Sequence, residues 1–330
     1  MLKLFHSNII VQVALLLVAM LLLWGRQLLA PVAVEAGEHP AVLYGWLCGL
    51  LVEAPRLTVV IAMVLVLAEG VLLNLLLANV GLVSQNSLLP TLLFVIAMSA
   101  GTATLTPMVL VGGVLIACLD QLVLRGTLLT ITPGKACGAT LLISLASLFY
   151  QPALLMVLSY LLIAASYRLY GWKDWGVMIL GLLAPYLPLV LALWFTDELN
   201  AWWQTTLASF SDFGIHLGTA ETWATVGAIA LAGVLLWSVM NVISRLGERP
   251  VVWQRNAATV VYLTVGAVGM LCFAPLLPFS PALFAIPFAF CTYRLLVGAS
   301  ETHTGFGRRK KHTWLYDILL IVILIAALLC

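Results

Sequence analysis

Long apolar runs separated by short polar segments dominate this chain. The longest runs lie at residues 9–29, 57–80, 105–124, 174–196, 222–244, 257–277, 281–298 and 314–330. The hydrocarbon core of a bilayer is about 30 Å thick, and about 20 residues of α-helix are needed to cross it. Each of these runs therefore predicts a transmembrane helix.

Three shorter apolar runs, at residues 88–100, 136–149 and 152–167, lie beside proline and glycine residues that break helices. They predict short or tilted spans, or half-helices of re-entrant hairpins. A further run at 41–52 would cover only about 18 Å as a helix, and we expect it to lie at the interface or to dip into the bilayer. The pattern predicts an all-α, polytopic transmembrane helix bundle of about eleven spans, with residues 1–330 as a single integral membrane domain.

The composition supports this class of protein. Hydrophobic residues make up 63% of the chain and charged residues 8%, whereas about a quarter of the residues in soluble domains are charged. The net charge of +2 is too small to indicate a nucleic-acid partner. We therefore expect membrane lipids, and no nucleic acid, among the partners.

The basic residues predict an orientation, because Lys and Arg collect in cytoplasmic loops. With these spans, all of the 15 basic residues except Arg26 and Arg56 fall on one side of the membrane. We assign that side to the cytoplasm, which makes the N-terminus cytoplasmic and the C-terminus extracytoplasmic. Before the last span lies a cytoplasmic basic anchor, a cluster of the kind that also meets anionic headgroups, formed by Arg308, Arg309, Lys310 and Lys311.

Residues 198–217 predict an amphipathic helix outside the bundle. One helical face carries the apolar side chains, at i, i+3, i+4 spacing, of Leu199, Trp202, Trp203, Leu207, Phe210 and Phe213. Its acidic flanks and tryptophans indicate an interfacial helix on the extracytoplasmic surface. Such a helix can seal the outer rim of the bundle, or it can cover an outward-facing cavity as a lid, and both alternatives stay open.

Two polar residues, Glu69 and Asn74, interrupt the apolar run 57–80. An acid at the centre of a transmembrane helix costs about 2.5–3.5 kcal/mol on insertion scales, so Glu69 should face protein or water and have a partner on another helix. Asn74 lies about 140° further around the helix axis and does not share that face. We expect the Glu69 carboxyl group to act as structural glue or in a proton-coupled or substrate-binding role, bonding a group near Thr140, Ser144 or Ser147.

Motifs for catalysis and metal binding are absent from the chain. There is no Walker loop, GxGxxG, GxSxG, HExxH or cysteine cluster, which are the usual residues of nucleotide, hydrolytic and zinc chemistry. The five histidines cannot form one metal site, because the topology puts them on both sides of the membrane. We expect no metal and no cofactor, and the outer-face candidates for chemistry are Glu35, Glu38, His39, Asp212 and His216.

Three segments, at residues 67–99, 144–158 and 167–187, carry a resemblance to a known family. They contain an asparagine in the second span, a "SLFYQP" break and two tryptophans ahead of "GLLAPY". In this order they resemble a family of polytopic bacterial inner-membrane proteins without an established activity, some of which carry the label beta-carotene monooxygenase. The resemblance implies a location in the bacterial cytoplasmic (inner) membrane.

Three functions fit these features. Transport or flipping of a lipid-linked or amphiphilic envelope intermediate would use the polar residues within the spans, the broken short spans and the outer helix. A non-catalytic membrane subunit of an envelope assembly complex would pack through small-residue surfaces such as Gly45, Gly49, Gly134 and Gly138. A multi-span lipid-linked sugar transferase would use an acid of the first outer loop as a base or metal ligand. The missing motifs favour a protein that is not an enzyme, and transport is the leading hypothesis.

Overall fold

Helices dominate the structure, a computed structural model that describes residues 9–31, 41–100, 105–125, 130–169, 171–211, 222–271, 281–301 and 313–329. No strand occurs within these ranges, so the predicted all-α class is confirmed for them. The helices are α1 (Ile9–Leu29), α2 (Val42–Leu51), α3 (Pro55–Asn79), α4 (Leu89–Ser99), α5 (Pro107–Leu122), α6 (Pro133–Phe149), α7 (Met156–Ser166), α8 (Trp172–Leu183), α9 (Tyr186–Phe195), α10 (Leu199–Ser211), α11 (Thr222–Arg245), α12 (Val251–Leu271), α13 (Ala285–Glu301) and α14 (Thr313–Leu329).

Four helical segments in the described ranges are long and apolar enough to cross a membrane, namely Ile9–Leu29, Pro55–Asn79, Trp172–Phe195 and Val226–Glu248. Further apolar helices have only 10 to 17 residues. α2, with 10 residues, is about 15 Å long, as the short run 41–52 predicted. These lengths suit a membrane protein, and they do not fix the predicted total of about eleven spans.

Prolines set the start of several helices. Proline is the first residue of α3, α5 and α6 and the second of α4, where its missing N–H costs no intrahelical hydrogen bond. Pro152 lies in the 3₁₀ turn Gln151–Leu155 that precedes α7, and Pro185 separates α8 from α9. The breaks predicted beside the short runs, at Pro107, Pro133 and Pro152, are therefore confirmed. The break at Pro185 lies inside the predicted run 174–196 and was not predicted.

The helix bounds agree with the apolar runs within a few residues, with one exception. α1 coincides with the predicted run 9–29, and α3 and α8 begin two residues before their predicted starts. α12 begins at Val251 and not near residue 257. The sequence pattern ended the span at the polar residues before 257, but the structure buries Asn256 completely inside the helix.

α4 forms the centre of the packed core. Every residue from Leu89 to Met98 is buried, and the helix packs against α3, α13, α1 and α14. A helix that is apolar on all sides is stable only when protein or lipid surrounds it completely. With 11 residues, α4 is about 17 Å long, so its ends leave backbone groups inside the helical bundle.

The connection between α3 and α4, residues 80–88, is held first by α1. Gln12 is buried within α1, and its side chain makes two hydrogen bonds to the backbone of this connection. Nε2 donates to the carbonyl of Asn86 at 3.1 Å, and the N–H of Leu88 donates to Oε1 at 2.8 Å. One amide side chain thereby satisfies both a backbone acceptor and a backbone donor.

Two other helices hold the same connection. Asn74 of α3 donates from Nδ2 to the carbonyl of Ser87 at 3.1 Å, which gives the predicted polar residue a structural role. The N–H of Ser84 donates to the hydroxyl of Tyr293, from α13, at 3.2 Å. The connection is therefore fixed at three points by side chains from α1, α3 and α13.

α12 is tied to the end of α5 by Asn256. Its Nδ2 donates to the carbonyl of Leu124 at 3.0 Å, and the N–H of Leu124 donates to its Oδ1 at 2.7 Å. Both residues are buried. The side chain thus pairs two backbone groups that follow the last turn of α5 and would otherwise have no partner.

Replacing Asn256 with alanine should destabilise the fold, because it leaves a buried N–H and a buried C=O of Leu124 unpaired. We expect a loss of about 2 kcal/mol or more in the free energy of unfolding, read from thermal or detergent-induced unfolding of the purified chain. Asn200→Ala, at an exposed position of α10, is the matched control and should change little. Equal stability of the two variants would contradict the structural role of the Asn256 pair.

Candidate functional site

α10 covers a cavity of about 340 Å³. A helix forms over Leu199–Ser211 of the predicted amphipathic segment, and residues 212–217 of the prediction lie outside the described ranges. α10 packs against α9 and the 151–155 turn. The cavity lies beneath it, lined by Ala41, Val42, Ser147, Leu148, Gln151, Leu154, Tyr186, Val190, Trp202, Trp203, Thr206 and Phe210.

Aromatic rings form the α10 side of this cavity. Trp202, Trp203 and Phe210 lie on the helical face that the sequence predicted to be apolar, and Tyr186 of α9 completes the wall. The ring centroids of Tyr186 and Trp202 are 6.4 Å apart. Leu207, predicted on the same face, does not line the cavity and is 48% exposed.

A few neutral polar groups lie among these rings. The hydroxyl groups of Ser147 and Tyr186 are 2.6 Å apart, and Gln151 donates from Nε2 to Oγ1 of Thr206 at 3.3 Å. The second polar atom of that amide, Oε1 of Gln151, is buried and accepts no hydrogen bond from any residue that the structure describes. The lining residues that the structure describes carry no charge, so this part of the cavity wall is apolar, aromatic and uncharged, with one unused acceptor beside it.

A second cavity, of about 230 Å³, lies between α7 and α8 and is lined by Tyr160, Leu161, Ala164, Ala165, Leu169, Asp174, Trp175 and Met178. Both cavities border the α8–α9 segment, where Trp175 and Met178 line the second cavity and Tyr186 and Val190 line the first. The second cavity is also lined by α7, whereas the first is lined by Leu154 of the 151–155 turn that precedes α7. The two cavities therefore follow one another along α8–α9, and they have no described lining residue in common.

Glu69 lies in a notch formed by two glycines of α5. Its side chain is 6% exposed, and it packs against Gly112 and Gly113. A methyl group at Gly113 would lie 2.8 Å from Oε1 of Glu69, and one at Gly112 would lie 3.0 Å from Oε2. The paired glycines thus leave just enough space between α3 and α5 for a carboxyl group.

The expectation that Glu69 bonds a group near Thr140, Ser144 or Ser147 is wrong. Oε2 of Glu69 has no hydrogen-bond partner among the described residues. Thr140 and Ser144 instead donate to the carbonyls of Cys137 and Leu182. The reason is the placement of α6, which packs against α5 and α8, so that these hydroxyls satisfy backbone groups of α6 and α8.

The remaining predicted site residues lie outside the described ranges, namely Glu35, Glu38, His39, Asp212, His216, Arg308, Arg309, Lys310 and Lys311. Within the ranges that are described, no group of three or more His, Cys, Asp or Glu side chains could hold a metal ion. Cys48, Cys118 and Cys291 are buried as free thiols. The described part of the chain thus offers the cavity beneath α10, the cavity between α7 and α8 that contains Asp174, and the buried acid Glu69.

Sequence reasoning missed Gln12, Gln151 and Asn256. Each is a single amide in or beside an apolar run, and this is the signal that could have found them. An amide at such a position must bond a backbone group or a side chain of another element, because it cannot reach water. Which backbone group it meets depends on helix packing that the sequence pattern does not contain.

A methyl group at Gly113 should destabilise the fold only because it would lie against the carboxyl group of Glu69. We expect Gly113→Ala to lower the free energy of unfolding by about 1–3 kcal/mol through overpacking. In the Glu69→Ala background the same change should be neutral or stabilising, since Ala favours a helix over Gly by about 0.5–1 kcal/mol. Gly176→Ala, where no atom lies within 4 Å of the added methyl, is the control. A cost of Gly113→Ala that is equal in both backgrounds would show that the two residues do not meet.

Comparisons with known proteins identify no relative. The chain matches no protein-family model, no curated protein and no solved structure.

Proposed function

We propose that the chain is a multi-pass protein of the bacterial cytoplasmic membrane with about eleven spans, a cytoplasmic N-terminus and an extracytoplasmic C-terminus. Contacts between distant segments support this topology. The guanidinium of Arg255 lies 5.8 Å from the ring centroid of Tyr167, and that of Arg294 lies 5.1 Å from the ring centroid of Trp253. Asn256 bonds Leu124 in the same region. The charge pattern assigns all these segments to the cytoplasmic side.

Contacts on the opposite side agree with the same assignment. The hydroxyl of Tyr44 donates to the carbonyl of Leu105 at 3.0 Å, and Gln151 bonds Thr206. The charge pattern puts both pairs near the extracytoplasmic ends of their helices. A topology with one of these segments inverted would separate partners that are in contact, so the contacts favour the proposed map with α10 on the outer face.

Within this topology the chain transports or flips an amphiphilic envelope intermediate, such as a lipid-linked one. The observation that carries this proposal is the aromatic cavity beneath α10. Its volume of about 340 Å³ is within the range of about 300–1,000 Å³ that ligand sites occupy, and an apolar lining with a few placed polar groups is typical of such sites. A helix that only sealed the rim of the bundle would not require this space beneath it, so the lid alternative is favoured.

The second cavity supports movement along the protein as well as binding. It lies nearer the proposed cytoplasmic side, and its lining residues Trp175 and Met178 lie on the same α8–α9 segment whose Tyr186 and Val190 line the first cavity. The α8–α9 segment is the least buried of the four long helical segments, because only 17% of the residues in its apolar stretch are buried in the protein. An amphiphile could therefore keep its tail in lipid while its head group passes between the two cavities.

The assembly-subunit function remains the second candidate. Gly49 and Gly134 have no atom within 4 Å of an added methyl group, so both leave backbone open to a neighbouring helix. Gly138, in contrast, already packs against Gln121 within the chain. The transferase alternative rests on acids of the first outer loop, which the structure does not describe, and no contact in the described ranges favours it.

Cysteine labelling tests the topology. Asn200→Cys on α10 should react with a membrane-impermeant maleimide in intact spheroplasts. Gly247→Cys, in the open turn between α11 and α12, should react only after permeabilisation. The unsubstituted chain gives the background from its native cysteines. The reverse labelling pattern would invert the map and contradict the proposal.

Filling the cavity should block transport. The purified chain is reconstituted alone into liposomes with NBD-labelled glycolipids and phospholipids, and flipping is followed by dithionite reduction. Leu154→Trp, which fills the cavity beneath α10, should lower the flipping rate about tenfold or more. Leu158→Trp, one turn further along the same helical arm at a 45% exposed position, is the matched control and should retain the rate.

The other outcomes of this assay distinguish the transport proposal from the assembly-subunit alternative. No flipping of any probe by the unsubstituted chain, together with stable co-purifying proteins, would favour the assembly subunit. Equal rates for Leu154→Trp and Leu158→Trp would show that the cavity beneath α10 is not on the path. The native fold of both variants is checked by their thermal unfolding temperatures.

A further inference from the structure

We infer that the cavity beneath α10 binds the uncharged, polyhydroxylated head group of an amphiphile, as in a glycolipid, and not a phosphate group. This inference rests on the proposed function and narrows its substrate class. It follows from three properties of the lining, namely its charge, its unused hydrogen-bonding capacity and its aromatic surface.

The first property is that the described lining is uncharged. None of the described residues that line the cavity is Lys, Arg, His, Asp or Glu. A phosphate group that leaves water needs cationic partners or a set of backbone N–H donors, because burying an unpaired charge costs far more free energy than hydrogen bonds to neutral groups return. A head group without charge avoids this cost.

The second property is the acceptor that Gln151 leaves unused. Its Oε1 atom is buried without a hydrogen bond from a described residue, while its Nε2 is engaged with Thr206. Gln151 lines the cavity, and a rotation of its side chain that brings Oε1 to the cavity surface would let a ligand O–H or N–H donate to this acceptor. Sugar hydroxyls are donors, whereas an ionised phosphate offers acceptors only. The Ser147 and Tyr186 hydroxyl pair can both donate and accept, and so it fits the same ligand.

The aromatic wall is the third property. Trp202, Trp203 and Phe210 line the cavity from α10, and the polar residues Gln151 and Ser147 line the same cavity from the end of α6 and the turn that follows it. Flat rings pack well against the C–H faces of a sugar ring, while the hydroxyls at its edge reach polar neighbours. The volume of about 340 Å³ is near the lower limit for ligand sites, which favours a single ring-sized head group with the first part of its tail.

Bromine quenching of tryptophan fluorescence tests the head-group preference directly. The chain in phospholipid nanodiscs is titrated with 6-bromohexyl β-D-glucoside, 6-bromohexyl phosphate and 6-bromohexanol, which share one tail. The glucoside should quench saturably, with half-saturation at a concentration roughly tenfold lower than the phosphate or the alcohol. The ionised phosphate supplies no donor, and the alcohol has a donor but no sugar ring to pack against the aromatic side chains.

Gln151→Leu keeps the approximate volume of the side chain and removes both its polar atoms. We expect this change to raise the half-saturating concentration of the glucoside about tenfold and to leave that of the phosphate, which has no donor for Oε1, unchanged. Gln254→Leu, at an exposed amide that bonds Arg249, is the matched control and should behave as the unsubstituted chain. If Gln151→Leu lowers the unfolding temperature, Thr206→Val provides a second test, because it releases the amide without removing it and should not weaken glucoside binding tenfold.

Three outcomes would overturn the inference. The first is half-saturation by the phosphate at the same or a lower concentration than the glucoside, and the second is unchanged glucoside binding in Gln151→Leu. Either result, combined with flipping that Leu154→Trp blocks, would leave the proposed transport intact and remove only the head-group preference. The third outcome, no saturable quenching by any of the three compounds, would remove both proposals.

Discussion

A backbone group released where a helix breaks inside a membrane has no water to bind, and this constraint organises the fold. Short helices release many such groups, since each helix end leaves four N–H or four C=O groups without an intrahelical partner. The chain satisfies several of them with single amide or hydroxyl side chains from other helices. Gln12 serves the connection before α4, Asn256 serves the end of α5, and Ser144 serves the end of α8. The side chains that satisfy the breaks are therefore also the links that fix the helices relative to one another.

The apolar pattern predicted where most helices lie along the chain, but it did not predict which helices pack against one another. α1 and α3 could be predicted to within two residues, because helix position depends on local hydrophobicity and on prolines that lie in the sequence itself. The partner of Glu69 could not, because it depends on which helix lies beside α3. The glycine pair 112–113 was visible in the sequence, yet only the packing of α5 against α3 makes it a notch for a carboxyl group.

The cavity beneath α10 also has one part that the sequence predicts and another that depends on packing. The aromatic face of α10 follows from its periodicity, whereas the meeting of Gln151, Ser147 and Tyr186 beneath it depends on tertiary structure.

The buried acid and the cavity beneath α10 lie at separate sites of the fold. An acid within a transmembrane helix costs about 2.5–3.5 kcal/mol on insertion scales, so its surroundings must be protein and not lipid. The structure gives Glu69 a site in which two glycines make room for it and one of its oxygens has no partner among the described residues. The close approach of α5 to α3 therefore sets the position of the carboxyl group.

α6 connects these two regions through direct packing. Two of its neighbours are α5, which carries the glycine notch, and α8. A methyl group at Gly181 would overlap Oγ1 of Thr140, so α6 and α8 are at their closest approach there. At the C-terminal end of α6, Ser147 contributes a hydroxyl to the cavity, and Gln151 both lines that cavity and bonds α10 through Thr206. The side chain that carries the unused acceptor therefore also helps to hold α10 in place, together with the packing of α10 against α9.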